Sequence, residues 1–305
     1  MENFLKNNEI VIDDGVFFFD DQVLQDTDNS AWKNDLQFFK KVKINAMAIM
    51  KMLNHAVKGG TLEIMGNLIG TIRHDTFIVS DIVSLPVVGS ETRVNAGNDA
   101  LVYNTKFNDL AKQAGQLFGG VGWYHSHPGY GPYLSGIDVG TQRAQQGFND
   151  PYIAIVIDPI KTCMTGKVDV GAFRTYPEGK APKQTKSSNL QDGIPEDKIK
   201  DFGAWHTEYY ALEISYFVSS VDLPIIESCC NRFWIGSLKD DQMANNKKYL
   251  TDKLHDVANK SKGIARVLSG PGTDCSSTQL KSLLKFSGEL SQSIHQECVR
   301  ATSFK

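Results

Sequence analysis

The sequence predicts an α/β fold, a mixed sheet flanked by helices and extended by a carboxyl-terminal helical hairpin. Three observations carry this expectation. Strand-like and helix-like apolar periods alternate from Val42 to Tyr176, as they do when helices cover a central sheet. Tyr152 to Ile157, YIAIVI, is a near-continuous apolar run, the pattern of a strand buried on both faces. Two amphipathic stretches, roughly 240–268 and 277–299, close the chain on either side of Gly270-Pro271-Gly272.

The elements follow in order. Residues 1–30 alternate short apolar bursts with Asp and Asn and read as an arm laid on the body. Ile44, Met47, Ile49, Met50, Leu53 and Val57 recur near helical spacing, and Gly59-Gly60 ends that helix. Leu62 to Ile72 and Phe77 to Val88 read as strands, the second bounded by Pro86 and Gly89. GSETRVNAGN, residues 89–98, is rich in turn formers and charge and predicts a surface loop. A helix from about Asp99 to Phe118 comes next, with Leu101, Phe107, Leu110 and Leu117 on one face. Gly120 to His127, GVGWYHSH, is a buried strand stopped by Pro128-Gly129, and Ser135 is an N-cap for a helix running to about Phe148. Lys167 to Tyr176 alternates as a strand. Residues 177–198 are a Pro/Ser/Lys-rich linker, and after Trp205 the pattern turns mostly helical. The expected division is an arm (1–30), a catalytic core (31–176), a linker and domain extension (177–240) and a helical hairpin (241–305).

Composition narrows the function. With 41% hydrophobic and 22% charged residues the chain fits an ordinary folded protein, and its net charge of −3 gives no electrostatic argument for nucleic acid. No apolar run reaches the ~18–20 residues of a membrane helix. The opening MENFLKNNEIVIDD is polar and acidic, unlike a secretory signal. Five cysteines (Cys163, Cys229, Cys230, Cys275, Cys298) form no CxxC pair and read as reduced thiols of a cytoplasmic or nuclear protein. Any metal is therefore held by histidine and carboxylate.

The chemistry concentrates in GWYHSHPGYGPYLSGID, residues 122–138. His125 and His127 stand two apart on a strand and share a face, while Ser126 points away. Pro128-Gly129 turns the chain, and Asp138 falls one turn into the following helix, aimed back at the imidazoles. Two His and one carboxylate make a three-ligand zinc set with its fourth position open to water, whose pKa such a metal lowers to near ~7. Glu63, at the mouth of an otherwise apolar strand, supplies the base, and Ser135 lies close enough to aid the developing oxyanion. A lone HxH or a lone Ser-x-x-Asp would carry little weight, the first as ordinary histidines and the second as a helix cap. Their combination, with no cysteine nearby, favours a catalytic over a structural zinc. His55, His74, His206, His255 and His295, the Cys229-Cys230 pair and the Tyr209, Tyr210, Tyr216, Phe217 cluster are read as packing.

Glu63, His125-Ser126-His127, Ser135 and Asp138 match the JAMM motif, and the chain resembles the JAMM/MPN-plus zinc isopeptidases. That resemblance implies an MPN fold with a curved sheet. His125, His127 and Asp138 would bind Zn2+, Glu63 would act as general acid/base, and Ser135 would support the tetrahedral intermediate. GGTLEIMG, GSETRVNA, GWYHSHPGYG, LSGID, GAFRTYP, KIKDFG and YYALEISYF are similar to the deneddylating branch of the family, that of the COP-nine signalosome. The implied substrates are Nedd8-conjugated cullins, and the implied partners are other signalosome subunits, met through the carboxyl-terminal helices. In that branch the 89–98 loop is a regulatory insertion, so Glu91 would reach the open zinc position and Arg93 would pair with Asp138. Pro132-Tyr133 replaces the family's Cys-Trp on the turn, outside the ligand set. A deubiquitinase of the same mechanism and a non-catalytic MPN scaffold stand as the alternatives.

Overall fold

The computed structural model describes residues 2–18, 31–86, 98–115, 118–181, 199–203, 205–228, 242–269 and 277–303. Its centre is one mixed sheet of nine strands in the order β1-β9-β2-β4-β3-β5-β6-β7-β8. The strands are β1 (Val11–Ile12), β2 (Lys41–Asn45), β3 (Met65–Arg73), β4 (Thr76–Ser84), β5 (Gly119–Ser126), β6 (Ile153–Asp158), β7 (Asp169–Thr175), β8 (Tyr209–Ala211) and β9 (Glu213–Val218). The arm contributes α1 (Glu2–Asn7) and β1, which pairs parallel with β9.

The sheet curls because β8 and β9 are separated by Leu212 alone, yet lie far apart in the strand order. Leu212 donates its N–H to Ala172 O on β7, and Glu213 donates to Lys40 O just ahead of β2. One continuous segment thus joins both sides of the sheet. This corrects the expectation of helix after Trp205. YYALEISYF alternates with period two, and Tyr209 and Phe217 are buried, which is strand behaviour. After Trp205, among the described residues, long helices begin only at Gln242.

Each face of the sheet is covered. Helix α2 (Ala46–Gly59) is capped by Asn45, whose side chain accepts the Met47 N–H, and ends at Gly60 in a positive-φ conformation. Its Ala48, Ile49, Met52 and Ala56 pack with Val42, Ile44, Leu68, Tyr124, Ile155 and Ile157. The opposite face holds Met65, Trp123, Ala154, Val156 and Phe173 against Val139 of α4 (Gly136–Asn149) and Ala100 of α3 (Asn98–Gln113). Helix α3 stops well before Phe118, because Gly115 takes a positive φ and returns its N–H to Lys112 O.

After α5 (Pro159–Thr165), the chain closes with α6 (Gln242–Ser269) and α7 (Ser277–Ser303), an antiparallel pair packed on each other, with α7 resting on α5. Residues 182–198 and the Gly270-Pro271-Gly272 break lie outside the described residues. Among the described residues no helix is long and apolar enough to cross a membrane.

Candidate metal centre

The site forms at the carboxyl ends of β5 and β6, adjacent parallel strands joined through α4. His125 and Trp123 share one face of β5. The indole stacks on the imidazole with centroids 4.7 Å apart and planes 12° apart, and Trp123 Nε1 donates to Gln142 Oε1 of α4 at 2.8 Å. His125 is thereby wedged in a single orientation and fully buried. Ser126 faces the other way, where its Oγ accepts the Ile64 N–H and its own N–H bonds to Ile64 O. This latch sets Glu63 beside the histidines. Glu63 lies two residues ahead of β3 rather than on the strand, and is 5% exposed.

His127 follows the last residue of β5 and opens a tight turn. Gly129 and Gly131 both have φ of +89°, a region that side chains rarely adopt. Asp158, the last residue of β6, holds this turn. Its Oδ1 accepts the Gly129 N–H (3.0 Å) and the Lys161 N–H (3.0 Å), and its Oδ2 accepts the Gly131 N–H (3.1 Å). The Gly131 carbonyl in turn lies 3.1 Å from His127 Nδ1 and accepts the Tyr133 N–H. A carbonyl only accepts, so Nδ1 carries the proton and the Nε2 lone pair of His127 points into the site. Burial and the neighbouring Asp169 push the Asp158 carboxyl above the usual carboxylate range.

Asp138 arrives on the first turn of α4. Ser135 is the N-cap, and the two residues form a reciprocal capping box worth about 1 kcal/mol to the helix. Ser135 Oγ also donates to Asp138 Oδ2 at 2.6 Å, which leaves Oδ1 directed at His125 Nε2, 3.5 Å away. Burial opposes ionisation of Asp138, but His125, His127 and the Ser135 hydroxyl outweigh it and hold its carboxyl well below the usual range. His127 Nε2 lies 4.0 Å from Glu63 Oε1 and 3.8 Å from Asp138 Oδ2.

These donors fit a metal ion. His125 Nε2 and His127 Nε2 face each other at 3.0 Å, and among the described residues His125 Nδ1 has no hydrogen-bond partner. His125, His127 and Asp138 offer ligand atoms that all lie within 4.8 Å of one another. The inward Nε2 lone pair of His127, the Nε2 of His125 and the Asp138 carboxylate present the donor atoms that a cation requires. The nitrogen–nitrogen–oxygen set suits zinc, and the three contacts leave a position open.

Three further residues belong to the site and escaped the sequence reading. The Tyr130 hydroxyl donates to Glu63 Oε1 while its ring stacks on His127 with centroids 4.5 Å apart. Phe202, from the KIKDFG segment, sets its ring edge-on to His127 at 5.5 Å. Asp158 is the third, and it was findable: an Asp before Pro159 at the end of an apolar strand is a helix-cap signal. Glu91 and Arg93 lie outside the described residues.

The geometry defines a buried histidine–carboxylate cluster able to hold a metal on a curled α/β sheet, and the chain belongs to the JAB1/Mov34/MPN/PAD-1 ubiquitin protease family, whose model matches residues 37–151. Within that family it is similar to COP9 signalosome complex subunit 5. Identity is 45% to the Dictyostelium discoideum protein over 84% of this chain and 77% of the relative. It is 45% to the Drosophila melanogaster protein (86% and 80%) and 39% to the Neurospora crassa protein (89% and 84%).

Proposed function

We propose that this chain is the catalytic subunit of a COP9-type signalosome, and that it hydrolyses the isopeptide bond between Nedd8 and a cullin lysine. The observation that carries this reading is the convergence of His125, His127 and Asp138 around one point, with Glu63 Oε1 4.0 Å from His127 Nε2. The relatives' printed name, COP9 signalosome complex subunit 5, supports the assembly and the branch. A non-catalytic scaffold has no need for this set of buried polar groups, each of which is costly to bury without a function.

When bound, zinc supplies Lewis-acid polarisation of the scissile carbonyl and acidifies the attacking water. His125, His127 and Asp138 are the residues that would hold it. Glu63 takes the proton from the attacking water and delivers it to the departing lysine amine. Tyr130, donating to Glu63 Oε1, orients that carboxylate. Ser135, whose hydroxyl rests on Asp138, is the donor assigned to the carbonyl oxygen as negative charge develops there. The walls from Trp123, Tyr130 and Phe202 keep bulk water off the histidines.

The test compares purified chain and assembled complex on fluorogenic Nedd8 and ubiquitin substrates. Faster turnover of the Nedd8 substrate by the complex is expected, and a preference for ubiquitin would instead assign the chain as a deubiquitinase.

Assembly is assigned to the carboxyl-terminal hairpin. Leu254, Leu280, Leu284 and Ile294 remain 51%, 44%, 65% and 38% exposed there, more apolar surface than a solvent-facing helix pair ordinarily carries. Leu284→Glu is expected to leave the isolated chain folded and to abolish its co-purification with the other subunits. Undiminished co-purification would place the interface elsewhere.

A further inference from the structure

The hairpin does more than project from the domain. Glu289 on α7 pairs with Lys161 of α5 at 3.2 Å, and Lys161 also pairs with Asp169 at 3.3 Å. The Lys161 side chain is 18% exposed and that of Glu289 is 29% exposed, so both sit in the seam between hairpin and core. Tyr249 of α6 reaches the same place from the other helix: a Cβ built on Gly129 would meet its ring at 3.2 Å. Helix α5 is the one that Asp158 caps, and Asp158 is the group that holds Gly129 and Gly131. A chain of direct contacts therefore runs from Glu289 through Lys161 and the start of α5 to Asp158. It continues through residue Gly131, whose N–H bonds Asp158 and whose carbonyl faces Nδ1 of His127.

We propose that Asp158 is a positioning residue for His127 and that the carboxyl-terminal hairpin sets its position through the Lys161–Glu289 pair. The inference rests on the metal reading of His127 above. Asp158 touches no substrate; it acts by accepting the Gly129 and Gly131 N–H groups and so fixing the turn whose Gly131 carbonyl selects the His127 tautomer and ring orientation, as partners of metal-ligating histidines do. The same contacts give anything that moves α6 and α7, such as assembly with partner subunits, a path to one metal ligand.

The experiment measures zinc affinity of the full chain by competition with a chromophoric chelator, alongside the thermal midpoint. Asp158→Asn replaces one acceptor oxygen by an amide that cannot accept, so one N–H of the turn or of α5 loses its partner. It is expected to weaken zinc by ~10–100-fold. Glu289→Gln keeps length and shape but removes the charge, and a roughly 2–5-fold weakening is expected from a part-exposed pair. Because Glu289 acts through Asp158, adding Glu289→Gln to Asp158→Asn is expected to change zinc affinity no further. A merely structural role would lower the thermal midpoint and leave the affinity of the folded protein unmoved. If Asp158→Asn does not fold, Glu289→Gln and Lys161→Met decide the matter, and wild-type affinity in both overturns the proposal. Unchanged affinity in folded Asp158→Asn overturns it as well, provided that the wild-type chain binds zinc. A wild-type chain that binds none overturns the metal reading and this inference together.

Discussion

Glu63→Gln protein keeps its zinc and loses turnover by ~10²–10⁴-fold, the range of a removed general base. The substitution is close to isosteric. A glutamine oxygen still accepts from the Tyr130 hydroxyl, and the Ile64–Ser126 latch that places the residue is untouched. What disappears is the capacity to take a proton from the attacking water and to hand it to the amine. Each tenfold loss corresponds to ~1.4 kcal/mol of barrier, so the expected change is roughly 3–5 kcal/mol. Metal content by elemental analysis and single-turnover rates on a Nedd8 conjugate measure the two halves separately. Near-normal turnover in this variant would mean that another group activates the water.

His125→Ala and Asp138→Asn are expected to remove zinc and activity together. His125 is fully buried under Trp123, so truncation leaves no neighbouring nitrogen able to replace Nε2. In Asp138→Asn the oxygen that faces His125 becomes part of a neutral amide, a weak zinc ligand. The wild-type site responds to pH in the same direction. The Asp138 carboxyl is held low, and a metal takes neutral imidazoles as ligands, so protons compete with zinc for the site as pH falls. Zinc affinity is therefore expected to hold above neutrality and to fall as pH drops below ~6. Full zinc occupancy in either variant would sink the ligand assignment.

The two predictions separate roles that lie within a few ångströms of each other, and the folding of the site explains why they separate. The ligands ride on rigid elements: His125 on β5, His127 at its end, Asp138 on the first turn of α4. Glu63 comes from a different part of the chain and joins them through the β3–β5 pairing, the Ile64–Ser126 latch and the Tyr130 hydroxyl. Altering it leaves the metal cage standing.

That division also marks how far the sequence alone reaches. Two histidines two apart on a strand share a face whatever the rest of the chain does, because the side-chain period of a strand is two. Ser135 and Asp138 form a capping box through spacing within one helical turn. The hairpin helices and α2 were legible from apolar periods over many residues. In each case the signal is local, and the JAMM resemblance added the names of the roles.

Distance in the chain decided the rest. Glu63 reaches the histidines because β3 pairs antiparallel with β5 in the register that sets Met65 opposite His125, a one-residue choice that no local pattern specifies. Residues 209–218 complete the sheet because Leu212 bonds β7 while Glu213 bonds the residue before β2, partners far earlier in the chain. Read alone, that aromatic-rich segment carried too few residues per strand for its period to override the helical pattern around it. Tyr130 on Glu63 is a meeting of two side chains, and Asp158 on the Gly129–Gly131 turn one of side chain and backbone, between residues 27 to 67 positions apart in the chain. Local periodicity determined which residues could bind a metal; long-range contacts determined which other groups surround those residues.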